Sequence, residues 1–390
     1  MYKLLISLFA IGATVADAAQ NSNANRWVVA IKPEASSELQ YHVRWVNELH
    51  TRNMQKRGEV AIGIETTFKF PGFAGYSGSF DEETLEELKA NPNITAIEQD
   101  HEVHLAALTS QQNPPWSLSA ISHANPPSAS GSYIYDSTAG EGTFAYVLDS
   151  GLYAKHNDFE GRATLAYDAT GGAATDQGHG THVAGIIGSK TYGVAKKTSI
   201  LGVQVTGTDV GQASWILAGI TWTVNDILAK KRVGKSVVNM SISTTNSAIM
   251  NNAVKSMIDS GIPVVVAAGN YNIDAADTSP ANLPEAITVA ASNRDFRRWQ
   301  HSNWGSTVDL FAPGQDIPST WVGSADKVYT TSGTSMASPY VAGVAAYLLA
   351  LEGPKSPAAL KKRILDLATS DLISDAKGVP NLLLYNGNSA

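Results

Sequence analysis

From Thr143 onward, short and nearly continuous apolar runs stop at polar residues or glycines and alternate with helical stretches. Phe144-Ala145-Tyr146-Val147-Leu148 stops at Asp149. Ile200 to Val205 precedes a helix expected over about Ala213 to Lys230, and Val237 to Met240 precedes one near Ala248 to Ile258. Ile262 to Ala268 stops at Gly269-Asn270, and Ala286 to Ala291 supplies one more strand. A strand wetted on one face alternates apolar and polar residues, whereas a strand apolar throughout must be covered on both faces. The pattern therefore predicts an α/β fold, a mostly parallel sheet with helices on both faces. Sites in such sheets form beyond the carboxyl ends of the strands. Asp149 and Asn270 both stand at such ends, and no internal repeat period is visible.

One stretch carries a candidate nucleophile. In Ser332-Gly333-Thr334-Ser335-Met336-Ala337-Ser338-Pro339, Ser335 heads a helix whose body, Tyr340 to Leu351, is almost wholly apolar. Unpaired N–H groups and the helix dipole favour negative charge there, which suits an oxyanion. A serine before a helix is also the commonest cap. The catalytic reading needs a base, an orienting acid and a second oxyanion donor. His179, in Gly178-His179-Gly180-Thr181-His182-Val183-Ala184-Gly185, can take the Ser335 proton. Asp149 can fix the tautomer of His179 and stabilise its charged form. The Asn270 amide and the Ser335 N–H can hold the oxyanion. Each residue has a plainer reading: a turn cap for Asp149, a turn for Gly269-Asn270, a structural residue or a metal pair with His182 for His179. No HExxH pattern and no third ligand accompany the two histidines. Four agreeing motifs in one chain order favour the catalytic set.

The rest of the chain sets the context. The net charge of −7 with no basic stripe argues against nucleic acid as a partner. Lys3, the apolar run Leu4 to Ala13 and Ala16-Asp17-Ala18 read as a secretory signal peptide over 1–19. No other run is expected to be long and apolar enough to cross a membrane, so the protein is expected outside the cell. It has no cysteine, so a large core must suffice without disulfides, and a bound ion would help. Residues 20–106 form a small α+β module with a strand at Trp27 to Ile31, a helix over Ser37 to Asn53, a helix capped by Asp81 and an extended segment from Ile94 to Val103. With 8 basic against 13 acidic residues, it is the more acidic part of the chain. Thr109 to Gly131, rich in Ser, Pro, Gln and Asn, reads as a surface connection.

The segments around Asp149, His179, Ala267-Ala268-Gly269-Asn270 and Gly333-Thr334-Ser335-Met336-Ala337 resemble the subtilisin-like serine proteases, in the order Asp–His–Ser of that family. Gly188-Ser189-Lys190-Thr191-Tyr192-Gly193-Val194-Ala195 is similar to the proteinase K branch of secreted fungal enzymes. The likeness covers most of Trp116 to Asn386 and implies a catalytic domain over 107–390. The module over 20–106 resembles the family's inhibitory propeptide. The resemblance implies a broad, monomeric endopeptidase acting on proteins and peptides through an acyl-enzyme. Substrate would lie as a strand between Asp209 to Gly211 and Ser241-Ile242-Ser243-Thr244, with Ala267, Ala268 and Gly269 lining the pocket before the cut. It also implies structural Ca2+ held by Asp309 with the main-chain oxygens of Pro284 and Ala286. The propeptide would inhibit its own enzyme after self-cleavage near Ala106–Ala107, laying Val103 to Ala106 in the groove. Asn93-Ile94-Thr95 is a glycosylation sequon; Asn239-Met240-Ser241 is a second, expected to be buried and unmodified.

Several positions depart from the family pattern. Ser241-Ile242-Ser243-Thr244 fills two usual glycines, and Asp209-Val210-Gly211 stands for Gly-Ser-Gly. Gln177 replaces an asparagine and Tyr340 a histidine, and the branch's cysteines are absent. Added Cβ atoms on a strand that a peptide must approach are expected to narrow specificity or slow turnover. Two rival readings stand beside this one. Asp149-Ser150-Gly151 and Asp259-Ser260-Gly261 fit an aspartic protease pattern, although the second follows a helical stretch. The other rival is an extracellular binder or antigen whose triad is intact but whose groove is too altered to turn over.

Overall fold

The computed structural model describes residues 26–58, 63–100, 108–126, 131–173, 178–207 and 211–388. The signal segment, Val103 to Ala107, Gln177, Asp209 and Val210 lie outside them. The chain divides into two compact units at Leu105/Ala106.

The N-terminal unit runs β1 (Arg26–Ile31), α1 (Leu39–Gln55), β2 (Gly63–Phe70), β3 (Phe73–Ser79), α2 (Glu82–Lys89) and β4 (Ile94–Gln99). Its sheet has the order β2-β3-β1-β4, with β1 antiparallel to both neighbours. The turn before α1, Pro33–Glu38, is a 3-10 helix, so the α-helix starts two residues later than its apolar spacing predicts. Val29, Val46, Tyr76 and Leu88 meet in one small core. Asp81 caps α2, accepting from the Thr84 N–H at 2.7 Å. Asn93 is exposed in the turn before β4, with Thr95 bonded to the Ala30 carbonyl.

The larger unit is built on a nine-stranded sheet. Its strands are β5 (Phe144–Asp149), β6 (Ala163–Asp168), β7 (Ser199–Gln204), β8 (Ser236–Met240), β9 (Val264–Ala267), β10 (Ile287–Ser292), β11 (Leu310–Pro313), β12 (Thr369–Ser370) and β13 (Leu382–Leu383). Their order is β12-β13-β11-β10-β9-β8-β5-β7-β6, parallel except for β12. The helices are α3 (Gly178–Gly188), α4 (Ala213–Ala229), α5 (Ala248–Asp259), α6 (Thr334–Glu352) and α7 (Pro357–Leu367). Successive strand side chains point to opposite faces. Thus Ala145 and Val147 of β5 pack in one core with α3 and α6, while Tyr146 and Leu148 pack in another with α4 and α5. This two-sided covering is the fold that the unbroken apolar runs require. The edge strand β6, half-exposed and less apolar, escapes a reading based on such runs.

Two expectations give way. Thr109 to Gly131 is not only a surface connection. Leu108–Gln111 pairs with Tyr133–Asp136, and the short helix Trp116–Ala120 buries Leu118 and Ser117 completely, as is Ile121 just after it. Polar composition hid two large side chains that plug the core beside α6. One of the fixings is Tyr340, fully buried, whose hydroxyl donates to Ser117 Oγ; burial pushes its phenol well up. Against the expectation from the sequence, one helix among the described residues, α6, is long and apolar enough to cross a membrane. Here 83% of that stretch is buried inside the fold, so its apolarity serves the core.

Candidate active site

Asp149 ends the interior strand β5 and is buried, with 2% exposure. Its Oδ1 accepts the Ser150 N–H at 2.7 Å and lies 2.6 Å from His179 Nδ1. His179 sits in the first turn of α3, its ring 34% exposed. The flanking glycines make this approach possible. A Cβ on Gly180 would stand 2.1 Å from the Gly151 carbonyl oxygen, and one on Gly178 would strike the Trp321 ring at 2.4 Å. The Gly180 N–H also donates to Ser150 Oγ at 3.1 Å, stitching the helix start to the strand end. One turn further on, His182 is fully buried, its Nε2 shared between the carbonyls of Ile317 and Tyr329 at 3.0 and 3.1 Å. Burial first, then His179 nearby, lowers its pKa to about 4, so this ring is neutral. It is a structural donor, which removes the metal-pair reading of the two histidines. Among the described residues, no group of three or more His, Asp or Glu side chains could hold a metal ion.

Ser335 is the second residue of α6. Its Oγ lies 3.5 Å from the Ser241 carbonyl oxygen. Pro339 stands four residues on and has no N–H, so the Ser335 carbonyl lacks its helical partner. Ser241 Oγ supplies the missing bond at 3.0 Å, and is itself held by Ser338 Oγ at 3.0 Å and Asn239 Nδ2 at 2.9 Å. The Ser241 side chain therefore anchors α6. Asn239 is fully buried in this network, which closes that sequon to modification.

Asn270 is oriented by a residue that the motif reading passed over. Its Oδ1 accepts from the Thr334 N–H at 2.9 Å and from Thr334 Oγ1 at 2.7 Å. Both acceptor bonds fall on the oxygen, so the amide nitrogen is the end left to donate. Thr334 Oγ1 also accepts from the Gly269 N–H at 3.1 Å. Gly269 has φ +106°, and a Cβ there would meet Asn303 Nδ2 at 2.4 Å. Asn303 is fully buried; it donates to the Ala268 carbonyl at 2.9 Å and accepts from the Tyr271 N–H at 3.0 Å. Nothing in its local sequence marks it.

Asp149, His179, Ser335 and Asn270 line one open cavity of about 320 Å³, with Gly211, Ser241, Ile242, Ser243, Ala267 and Gly269. Thr206, Tyr271 and Thr334 join them without having been expected. Ala268 does not: it is fully buried on the other side, because alternate residues of an extended segment face opposite ways. The Ser243 hydroxyl is buried without a partner beside Gly269.

The three oxygens expected to hold calcium do converge, but on a side chain. Lys361 Nζ lies 2.8 Å from Asp309 Oδ1, 2.8 Å from the Pro284 carbonyl and 2.7 Å from the Ala286 carbonyl. Asp309, Pro284 and Ala286 therefore do not fit a bound metal: an ammonium stands at their common focus.

With the geometry in hand, comparisons with known proteins place the chain. Residues 140–385 match the subtilase family, and residues 26–106 match the peptidase inhibitor I9 family. The chain is 48% identical over 370 residues to alkaline protease 1 of Aspergillus flavus, covering 93% of this chain and 91% of that one. It is 50% identical over 357 residues to alkaline protease 1 of Aspergillus clavatus, covering 90% and 88%. The alkaline proteinase of Hapsidospora chrysogena is 44% identical over 379 residues, covering 94% and 92%. Among solved structures, a cold adapted subtilisin-like serine proteinase superposes with a TM-score of 0.67 at 39% identity, covering 71% of this chain and all of that one. The chain belongs to the subtilase family: it is a subtilisin-type serine endopeptidase that carries its own I9 inhibitor module.

Proposed function

We propose that Asp149, His179 and Ser335 are the catalytic triad of a secreted endopeptidase made as a self-cleaving zymogen. Ser335 Oγ attacks the carbonyl carbon of a peptide while His179 takes its proton. Asn270 Nδ2 and the Ser335 N–H hold the oxyanion of the tetrahedral intermediate. Collapse breaks the C–N bond, His179 returns the proton to the departing amine, and water then releases the acyl group by the same steps in reverse. Asp149 keeps the His179 proton on Nδ1 and stabilises the ring when charged. The observation that carries this reading is the 2.6 Å Asp149–His179 bond at the wall of the cavity that also holds Ser335 and Asn270.

Secretion follows from the segment over 1–19, and the boundaries 20–106 and 107–390 from self-cleavage near Ala106–Ala107. The module is the first inhibitor of the monomeric enzyme and carries a glycan on Asn93. Substrates are proteins and peptides, with neither nucleic acid nor membrane as a partner. Gly211 and the main chain of Ser241 to Ser243 would pair with an extended peptide, and Ala267 and Gly269 would bound the pocket before the cut. Ser243 and Thr244, filling the usual glycines, narrow the accepted peptides.

A fluorophosphonate label tests the nucleophile, and N-terminal sequencing of secreted protein tests the boundary. The Ser335→Ala chain is expected to take no label and to stay uncut; its spontaneous processing would overturn autocatalysis. A peptide panel giving the broad preference usual in the family would remove the narrowed groove.

A further inference from the structure

The cluster around Lys361 lies outside the cavity. Three separate stretches meet there. Pro284 and Ala286 precede β10, Asp309 precedes β11, and Lys361 comes from α7. The carboxylate of Asp309 is divided between two tasks: Oδ2 accepts the Thr288 N–H of β10 at 2.8 Å, and Oδ1 faces Lys361 at 2.8 Å. An ammonium has three N–H donors and no acceptor. Here it meets three acceptors within 2.7–2.8 Å, one anionic and two neutral, so its single charge is matched by a single charge. Calcium instead takes six to eight oxygens at about 2.3–2.6 Å. A divalent ion at this focus would collide with the ammonium and repel it.

The helix explains how the lysine arrives. Pro357 opens α7 and Ser356 caps it, accepting from the Ala359 N–H at 3.3 Å. Leu360 and Ile364 take the buried face. Lys361 follows Leu360 at the rim, its side chain only 18% exposed, while Lys362 turns outward to pair with Asp366. Burial pushes the Asp309 carboxyl above its ordinary value, and the Lys361 ammonium and the Thr288 N–H act against that rise.

We propose that Lys361 is a tethered internal cation that takes the place of a metal ion at the β10–β11–α7 junction, and that it is the group that keeps calcium out of it. Unlike a bound ion, a side chain cannot be removed by a chelator or by dilution. Removing it leaves Asp309 Oδ1 and two carbonyls aimed at one vacated point, with water free to complete a calcium shell. The proposal does not depend on the triad assignment.

The test uses the full chain carrying Ser335→Ala, to limit self-digestion, with and without Lys361→Ala. Thermal midpoints are measured in chelator and in millimolar calcium, and terbium luminescence reports ion binding without activity. The Lys361→Ala chain is expected to lose roughly 5–10 °C in chelator, from the loss of one partner of a buried pair. It is expected to regain most of that in calcium and to show one terbium site beyond those of the parent. Lys361→Met, which keeps the apolar stem, should behave alike. An identical calcium response in parent and both variants, or no added terbium site, would overturn the proposal.

Discussion

Asp149 and Asp309 are both carboxylates at sheet strands, both are paired with a nitrogen under 3 Å away, and both sit in motifs that resemble one family. Their partners were legible to different degrees. His179 lies thirty residues after Asp149, inside a motif whose glycines exist because the backbone must come close. A motif of that kind encodes its own geometry. Lys361 lies fifty-two residues after Asp309, on a helix with no motif at all. The Asp309 segment encodes where three oxygens point, and another element decides what they hold. The motif around Asp149 thus carries its partner's geometry with it, whereas the motif around Asp309 leaves its partner to another element.

The largest effect should separate the two sites by activity. Ser335→Ala is expected to lower kcat by roughly 10⁶-fold, and Asp149→Asn by roughly 10⁴-fold, with folding stability nearly unchanged, measured on peptide turnover and denaturant midpoints. The opposite pattern is expected from Asp309→Ala, which should lose about 2–3 kcal/mol of stability while the residual folded enzyme keeps its kcat. Equal losses of kcat at both sites would erase the contrast.

Oxyanion support comes next. Asn270→Ala is expected to lower kcat by roughly 10²–10³-fold with little change in KM. Thr334→Val removes the hydroxyl that donates to Asn270 Oδ1, so kcat should fall by roughly tenfold and recover in Thr334→Ser. A Thr334→Val enzyme with wild-type kcat would show that the backbone N–H alone orients the amide.

The last effect is a pH dependence. His182 has a folded-state pKa lowered from 6.5 to about 4, mainly by burial. Above pH 6.5 the ring is neutral in both states and its bonds contribute fully. As pH falls from 6.5 towards 4, the unfolded ring takes a proton that the folded one refuses, so stability drops by up to about 3 kcal/mol. Denaturant midpoints at neutral pH and near pH 4.5 should diverge, and His182→Gln should lessen that divergence. An unchanged divergence would assign the acid sensitivity to other groups.

Much of this protein was legible from local pattern. Apolar runs predicted β5, β8, β9 and β10, because a strand covered on both faces leaves no room for polar alternation. Four short motifs predicted Asp149, His179, Asn270 and Ser335, which line one cavity, because glycines and a helix start leave local marks. The edge strand β6 went unseen because it is half-wet. Leu118 and Ile121 went unseen because polar neighbours masked two residues that matter only beside α6. Ala268 was expected in the pocket from the family resemblance, and the alternation of an extended chain turned it away.

Sequence by itself determined the sheet, its two covered faces and the order of the chemical groups along the chain, since each depends on neighbours within a few residues. Only the tertiary structure decided which distant side chains complete them. Thr334 and Asn303 lock the Asn270 turn, Ser241 supplies the bond that Pro339 withholds from Ser335, and Lys361 fills the focus of three oxygens. These are contacts between elements far apart in sequence, and hydrogen-bond complementarity at such contacts exists only after the elements have packed.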